Sequence, residues 1–314
     1  MRLVSYRHHD APGVGVMVDD TGFVALGNAA PDLPSNLRRI IAMEDGLSRA
    51  AAAAAGKAAD LTFDDVELEP VITDPNAVWA LALNFQSHID ETGLTTSPDY
   101  PHIFLRHAKS HVGHLRPLLA PPPDVGQAFD YEGELAVIIG KPGRHIPKDK
   151  AMDHVAGYSI HNEGSVREFQ SHNRQFGLGK NFEASGSFGP WMMTPDEFGD
   201  PYEKEIITRL NGKERQHEGV NGLIFNVEAL IHYISIGHIL RPGDVIVTGT
   251  PGALPPADDD MEAQIESHVD DGGGVKYAGR VHMKPGDVCE VEITGLGILR
   301  NEVEADLPNA YRAG

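Results

Sequence analysis

The sequence contains a single cysteine and no long apolar run, and both shortages exclude classes of protein. One cysteine, Cys289, among 314 residues rules out an intrachain disulfide, and its place in a strand-like segment favours a packing role. No apolar stretch reaches membrane-spanning length, and the N-terminal residues lack the apolar core of a signal peptide. We therefore expect a cytoplasmic protein without a membrane partner.

Basic residues are also scarce relative to acidic ones. The 26 Lys and Arg residues face 46 Asp and Glu residues, which gives a formal charge of −20. Such a balance argues against a broad basic face for nucleic acid. A small anionic substrate would need local cations or a metal in order to bind. We therefore expect a small-molecule dicarboxylate or oxo-acid substrate only if the sequence provides candidate cations or metal ligands.

Composition and length indicate a soluble chain with one large or two unequal domains, since 41% of the residues are apolar and 23% are charged. Residues 1–72 read as a small N-terminal accessory domain with a hairpin and an alanine-rich surface helix. Residues 73–314 read as the catalytic domain, with residues 255–282 as a probable insertion loop. Many short strands with glycine and proline turns favour an all-β or α+β core.

The most informative stretch places acidic residues at the start of an unbroken apolar run, residues 135–139. Because strand side chains alternate between faces, Asp130, Glu132 and Glu134 are predicted to share one face. Crowded carboxylates repel each other and lose hydration, so a positive group is expected among them. Carboxylate oxygens suit Mg²⁺ or Mn²⁺, while the alternative is an edge strand with a solvated acidic face.

A second candidate element lies after the apolar strand at residues 78–83. His88 and Glu91 are three residues apart and would share one face of a helical turn. The carboxylate could then orient the imidazole and raise its basicity, as in a general-base pair. The alternative is a weak ion pair on a surface helix.

Further polar residues lie where a substrate site could form. Glu163 follows a strand-like segment and could deliver a third metal-binding oxygen, while Arg167 and Gln170 could clamp a substrate carboxylate. Lys180 lies in a glycine-bounded loop, although a lone lysine is usually a solvated surface group. The Thr250 hydroxyl lies in a glycine-rich loop that could wrap a substrate.

Short motifs recur in a fixed order along residues 78–305. They are Leu83-Asn84-Phe85 with His88 and Glu91, Asp130-Tyr131-Glu132-Gly133-Glu134-Leu135, Gly157-Tyr158 with Asn162, Arg167 and Gln170, Gly179-Lys180, Gly189-Pro190-Trp191, Leu210-Asn211-Gly212-Lys213, Pro242-Gly243-Asp244-Val245-Ile246, Thr248-Gly249-Thr250-Pro251-Gly252 and Lys284-Pro285-Gly286-Asp287. This ordered set resembles the fumarylacetoacetate hydrolase family, and in particular its shorter acylpyruvase and maleylpyruvate or fumarylpyruvate hydrolase branch.

The resemblance implies a β-rich α+β fold with a distorted, mostly antiparallel β-barrel, usually paired as a homodimer. It makes Glu132 and Glu134 metal ligands and places Glu163 where the family usually has aspartate. A second departure concerns the neighbourhood shortly after Asn84, where the longer branch has an additional metal-binding aspartate and this chain has Gln86 and Ser87. The chain therefore matches a site with three protein ligands for Mg²⁺ or Mn²⁺.

The reaction implied by this resemblance is metal-dependent hydrolysis of a carbon–carbon bond in an acylpyruvate. His88, oriented by Glu91, would activate water, Lys180 would hold the oxyanion, and Arg167 with Gln170 would hold the substrate carboxylate. If the histidine pair is displaced, the alternative is decarboxylation of a 2-oxo acid, or isomerisation or tautomerisation of an unsaturated diacid. A catalytically silent scaffold of the same fold is a further hypothesis, which the presence of these residues argues against.

Overall fold

The computed structural model describes residues 1–94, 96–255 and 280–306. The strands are Arg2–His8 (β1), Ala11–Met17 (β2), Gly22–Ala25 (β3), Leu61–Thr62 (β4), Glu67–Leu68 (β5), Val78–Ala82 (β6), His102–Arg106 (β7), His111–Val112 (β8), Leu118–Ala120 (β9), Phe129–Asp130 (β10), Gly133–Ile139 (β11), Val155–Asn162 (β12), Ser165–Val166 (β13), Gly186–Met193 (β14), Glu205–Leu210 (β15), Lys213–Gly219 (β16), Val245–Val247 (β17), Val288–Ile293 (β18) and Gly297–Ala305 (β19). The helices are Leu26–Ala29 (α1), Leu37–Ile41 (α2), Gly46–Ala54 (α3), Gln86–Glu91 (α4), Arg167–Gln170 (α5), Pro195–Phe198 (α6) and Val227–Gly237 (α7). No helix in these described ranges is long and apolar enough to cross a membrane.

A twelve-stranded sheet forms the centre of the fold. Its main path runs β4-β3-β2-β1-β14-β12-β11-β17-β6-β7, with β5 paired to β1 and β8 paired to β14. Every residue of β11 is buried. The sheet is covered on both faces at this strand, which explains why its apolar run does not alternate with polar residues. The pairing is mostly antiparallel, with parallel contacts between β17 and β6 and between β14 and β8.

A second, five-stranded sheet runs β16-β15-β18-β19-β9 and packs beside β11 and β12. Helix α7 buries an apolar face formed by Val227, Leu230, Ile231 and Ile234, as its spacing predicts. The fold is therefore strand-rich and of the α+β class, which confirms that prediction. Among the described strands, the sheets are open and mixed and do not close into a barrel.

The N-terminal strands join the central sheet directly. Strand β1 pairs with β14 through Arg2 with Met193 and Leu3 with Met192, and β2 and β3 form the expected hairpin beside it. The division into residues 1–72 and 73–314 stays a prediction. In place of the single alanine-rich helix expected within residues 1–72, the chain forms α2 and α3, because it turns at residues 42–45.

Candidate active site

Three glutamates meet where β11 begins and β12 ends. Glu134 lies in β11, Glu132 precedes it, and Glu163 follows the last residue of β12. The antiparallel register opposes Gly133 to Asn162, and the Glu163 amide donates a 2.8 Å hydrogen bond to the Glu132 carbonyl. This register explains why two residues close in sequence meet a third one some thirty residues later.

The three carboxylates are buried, and one oxygen from each lies within 4.8 Å of the other two. Burial raises the pKa of Glu134 well above its ordinary value, and the charges of Glu163 and Glu132 add to this effect. Burial also acts on Glu132, but Arg167 and Lys180 hold its pKa well below the ordinary value. The environment thus shifts the pKa values of Glu132 and Glu134 in opposite directions, although the two residues look equivalent in the sequence.

Buried cations surround this triad, as the crowding of carboxylates requires. The Lys180 ammonium donates to Glu132 Oε2 and, at 3.1 Å, to Glu163 Oε2. Arg167 Nη2 donates to Glu132 Oε1 at 2.7 Å, and Arg106 Nη1 lies 3.6 Å from Glu163 Oε1. Lys180 is only 3% exposed, so it is not the solvated surface lysine of the alternative interpretation.

Asp130 takes a different place from the one expected on a shared acidic face. Its Oδ2 atom accepts hydrogen bonds from Arg167 Nε at 2.9 Å, from Arg167 Nη2 at 2.6 Å and from Arg280 Nη1 at 3.0 Å. The strand is interrupted between β10 and β11, so Asp130 leaves the row of Glu132 and Glu134. The third carboxylate of the cluster comes from Glu163 instead.

Helix α4 carries the predicted pair of His88 and Glu91. His88 Nδ1 lies 3.0 Å from Glu91 Oε2, and both side chains are largely buried rather than solvated. Burial would raise the pKa of Glu91, but the charge of Arg280 and the hydrogen bond from His88 hold it below its ordinary value. The carboxylate is therefore ionised and accepts a hydrogen bond from the His88 Nδ1–H group, which leaves Nε2 as the nitrogen without a proton.

The loop after β17 supplies backbone contacts to the triad. The Gly249 amide donates to Glu134 Oε2, and Gly249 adopts a φ of +96°. A Cβ at this position would lie 2.8 Å from the Asn84 Cβ, so only glycine fits. The Asn84 side chain in turn donates to the Thr248 carbonyl at 2.7 Å, which joins the segment before α4 to this loop.

One pocket brings the predicted site residues together. Its volume is about 650 Å³, part of which is open to solvent. Its lining includes His88, Glu132, Glu134, Glu163, Arg167, Gln170, Lys180 and Thr250, with Leu81, Ala82, Leu83 and Phe176 as apolar walls. Glu91 lies behind His88 and acts on the pocket through it.

All three predicted substrate-binding residues, Arg167, Gln170 and Thr250, have partners within the protein. Arg167 Nη1 donates to Gln170 Oε1 at 2.6 Å, as the three-residue spacing on α5 predicts. The Thr250 hydroxyl accepts a 2.7 Å hydrogen bond from Gln216 Nε2. These contacts fix the orientation of the polar groups that the pocket presents.

Sequence reasoning missed two buried arginines at the site. Arg106 ends β7, and Arg280 lies inside the stretch 255–282 that was interpreted as an insertion. Both are at most 4% exposed. Neither belongs to a motif, and a single arginine carries no signal until its partners are known. Residues 256–279 of the expected insertion lie outside the described residues.

Comparison with known proteins agrees with this geometry. The family model described as fumarylacetoacetate (FAA) hydrolase C-terminal matches residues 77–304. The mitochondrial oxaloacetate tautomerase fahd2 of Xenopus laevis is 34% identical over 309 residues, covering 96% of this chain and 90% of that protein. The fumarylacetoacetate hydrolase structure from Exiguobacterium antarcticum is 27% identical with a TM-score of 0.73, covering 98% of this chain and all of that chain.

A third similarity concerns the fold alone. Maleylpyruvate hydrolase from Sphingobium sp. SYK-6, solved with manganese(II) and pyruvate, is 24% identical with a TM-score of 0.74. The match covers 98% of this chain and all of that chain.

The strand-rich α+β fold, the buried triad of carboxylates beside a histidine and the family model over residues 77–304 all indicate the same class of protein. The chain belongs to the fumarylacetoacetate hydrolase family.

The triad fits a divalent cation on chemical grounds. It offers three carboxylates and no sulfur or nitrogen ligand, which is the donor set of a hard cation. Among the described residues, Glu163 Oε1 is buried without a hydrogen-bond donor. The Arg106 Nη1 atom lies 3.6 Å away, and a buried carboxylate oxygen without a hydrogen bond is costly, so a bound cation would satisfy it. Glu163 belongs to this cluster, although the family usually has the shorter aspartate at this position.

Proposed function

We propose that the protein is a divalent-metal-dependent enzyme that interconverts the keto and enol forms of a small 2-oxo dicarboxylic acid of the oxaloacetate type. The observation that carries this proposal is one pocket lined by a base, His88, and by three buried carboxylates. Several relatives at 34% identity and nearly full coverage are named oxaloacetate tautomerases, which supports the same reaction.

Glu132, Glu134 and Glu163 would hold the cation, for which we propose Mg²⁺ or Mn²⁺. When bound, such an ion supplies Lewis-acid stabilisation of negative charge on the 2-oxo oxygen. The proposed homodimeric state and cytoplasmic location remain predictions from the sequence.

His88 moves the proton in this proposal. Its Nε2 atom takes a proton from carbon 3 of the keto form, while Nδ1 keeps its hydrogen bond to Glu91. The carbon–hydrogen electron pair becomes the carbon–carbon double bond, and the π pair of the carbonyl moves onto the 2-oxo oxygen, which gains a proton from solvent. The His88 imidazolium then returns its proton to solvent. No carbon–carbon bond breaks. Glu91 stabilises the imidazolium that forms, because its carboxylate stays ionised.

Cationic and polar side chains bind the two ends of the substrate. Lys180 donates hydrogen bonds from the side of the pocket where negative charge develops. Arg167 and Gln170 form the polar wall that would meet a substrate carboxylate, and the Thr250 hydroxyl would contribute one further hydrogen bond. A pocket with these groups suits a small diacid rather than a bulky neutral ligand.

Hydrolysis of an acylpyruvate is a second candidate, favoured by the buried, oriented imidazole of His88. In that reaction His88 removes a proton from water, and the hydroxide adds to the distal carbonyl. The carbon–carbon bond then breaks, the acyl group leaves as a carboxylate, and the pyruvate fragment regains a proton. The sequence favours this reaction, whereas the full-length relatives favour tautomerisation.

The reaction is decided by assaying one preparation against several substrates. The panel contains enol oxaloacetate, keto oxaloacetate and acylpyruvates, with Mn²⁺ or with a chelator. We expect metal-dependent loss of the enol absorbance without release of pyruvate. Rapid pyruvate release from acylpyruvates with slow enol conversion would favour the hydrolase instead. Pyruvate release from oxaloacetate alone would indicate a decarboxylase.

A further inference from the structure

Arg280 joins helix α4 to the centre of the site. Its Nε and Nη2 atoms donate to the two carboxylate oxygens of Glu91 at 2.6 and 3.0 Å. Its Nη1 atom donates at 3.0 Å to Asp130 Oδ2 and at 3.0 Å to the Tyr131 carbonyl. The guanidinium is fully buried, so these four hydrogen bonds are shielded from water.

The contacts continue from Asp130 into the triad. Asp130 also accepts two hydrogen bonds from Arg167, and Arg167 donates to Glu132. Negative and positive side chains therefore alternate from Glu91 through Arg280, Asp130 and Arg167 to Glu132. Each buried charge has a neighbour of opposite sign, which is the condition for such groups to be retained in a protein interior.

Helix α4 needs contacts of this kind because it has only six residues, Gln86–Glu91. Isolated helices this short are not stable in water, so tertiary contacts must hold it. Near its start, the Ser87 hydroxyl accepts a 2.9 Å hydrogen bond from the Gly252 amide. At its end, Glu91 is held by Arg280 and by a 3.3 Å hydrogen bond from the Ala253 amide.

We propose that Arg280 is a positioning residue that fixes Glu91, and through it the His88 base, relative to the carboxylate triad. The inference rests on the proposed function for its kinetic readout. Arg280 is not among the pocket-lining residues in the part of the chain that the structure describes, so it acts on the substrate through other side chains, of which His88 is the proposed base. A planar fork is needed, because a lysine ammonium cannot match both Glu91 oxygens and Asp130 in one geometry.

The kinetic test is a double-mutant cycle with Arg280→Met and His88→Ala. We expect Arg280→Met to lower kcat by about 10²-fold, the cost of a misplaced catalytic group. The KM should change by less than about 3-fold, because pocket contacts are kept. In the His88→Ala background, Arg280→Met should lower kcat no further, since the residue it positions is absent.

A variant that keeps the charge guards against loss of folding. Arg280→Lys retains a cation beside Glu91 and Asp130 and should show partial recovery of kcat in the same cycle. Arg209→Met is the matched control, because Arg209 pairs with Glu292 in the second sheet, away from the pocket. The control should keep the parental kcat and KM.

Amide hydrogen exchange tests the inference independently of turnover. We expect residues 86–92 to exchange at least roughly ten-fold faster in Arg280→Lys than in the parent, with no change in the Arg209→Met control. An inactive parent with this change in exchange would refute the proposed function and support the positioning role. Unchanged exchange at 86–92, or additive losses of kcat in the cycle, would overturn the positioning role and leave the proposed function standing.

Discussion

Replacing Arg167 with methionine removes a buried cation that two carboxylates share. Arg167 donates four hydrogen bonds, two to Asp130, one to Glu132 and one to Gln170, and its side chain is fully buried. Removing one partner of a buried ion pair typically costs about 3–5 kcal/mol. Since Arg280 still pairs with Asp130, we expect the lower end, about 3 kcal/mol.

The loss is measured by urea unfolding at pH 7 in the presence of a chelator. For a chain of 314 residues, a loss of about 3 kcal/mol corresponds to a fall in Tm of roughly 4–5 °C. Adding Asp130→Asn should recover part of it, because one of the two buried carboxylates that lost Arg167 is then neutral. Arg209→Met serves as the control, since a partly exposed pair contributes about 0–1 kcal/mol. A loss no larger than that of the control would refute the reading of Asp130 and Arg167 as a buried ion pair.

Three further predictions concern the metal ligands and acid stability. Glu134→Gln should abolish calorimetric Mn²⁺ binding while the fold is kept, and unchanged affinity would contradict the site. Glu163→Asp should weaken Mn²⁺ binding if the longer side chain ligates directly, whereas Glu163→Ala with parental affinity would show that it is no ligand. Burial, with Arg300 nearby, lowers the pKa of His114 to about 4. The unfolded state therefore takes up a proton first as pH falls below about 6.5, and by pH 4.5 the parent should lose about 2–3 kcal/mol more than His114→Gln in urea unfolding. Equal losses would contradict this assignment.

The sequence was sufficient for the parts of the site that depend on local pattern. Glu132 and Glu134 lie at the start of an apolar run that is typical of a buried strand, and the period of two places them on one face. His88 and Glu91 meet because three residues separate them on a helical turn. In both cases the two residues belong to one secondary-structure element or lie at its end, so their separation in sequence decides whether they meet.

Contacts across elements could not be read from the sequence. Asp130 leaves the acidic row because the strand is interrupted before Gly133, and an interruption by two residues has no clear signature. Arg280 reaches Glu91 across 189 positions, so its role depends on the fold and on no motif. The expected barrel is an open mixed sheet among the described strands, because closure depends on how distant edges meet.

The central claim is that His88 moves a proton at carbon 3 of a 2-oxo diacid held beside a metal bound by the triad. Exchange of the carbon 3 protons of oxaloacetate with deuterated water, followed by NMR with Mg²⁺ or with a chelator, tests it directly. We predict that the parent catalyses exchange only with the metal, and that His88→Ala lowers the rate by about 10²–10⁴-fold with unchanged metal affinity. Exchange at the parental rate in His88→Ala, or in the parent with the chelator, would contradict the account.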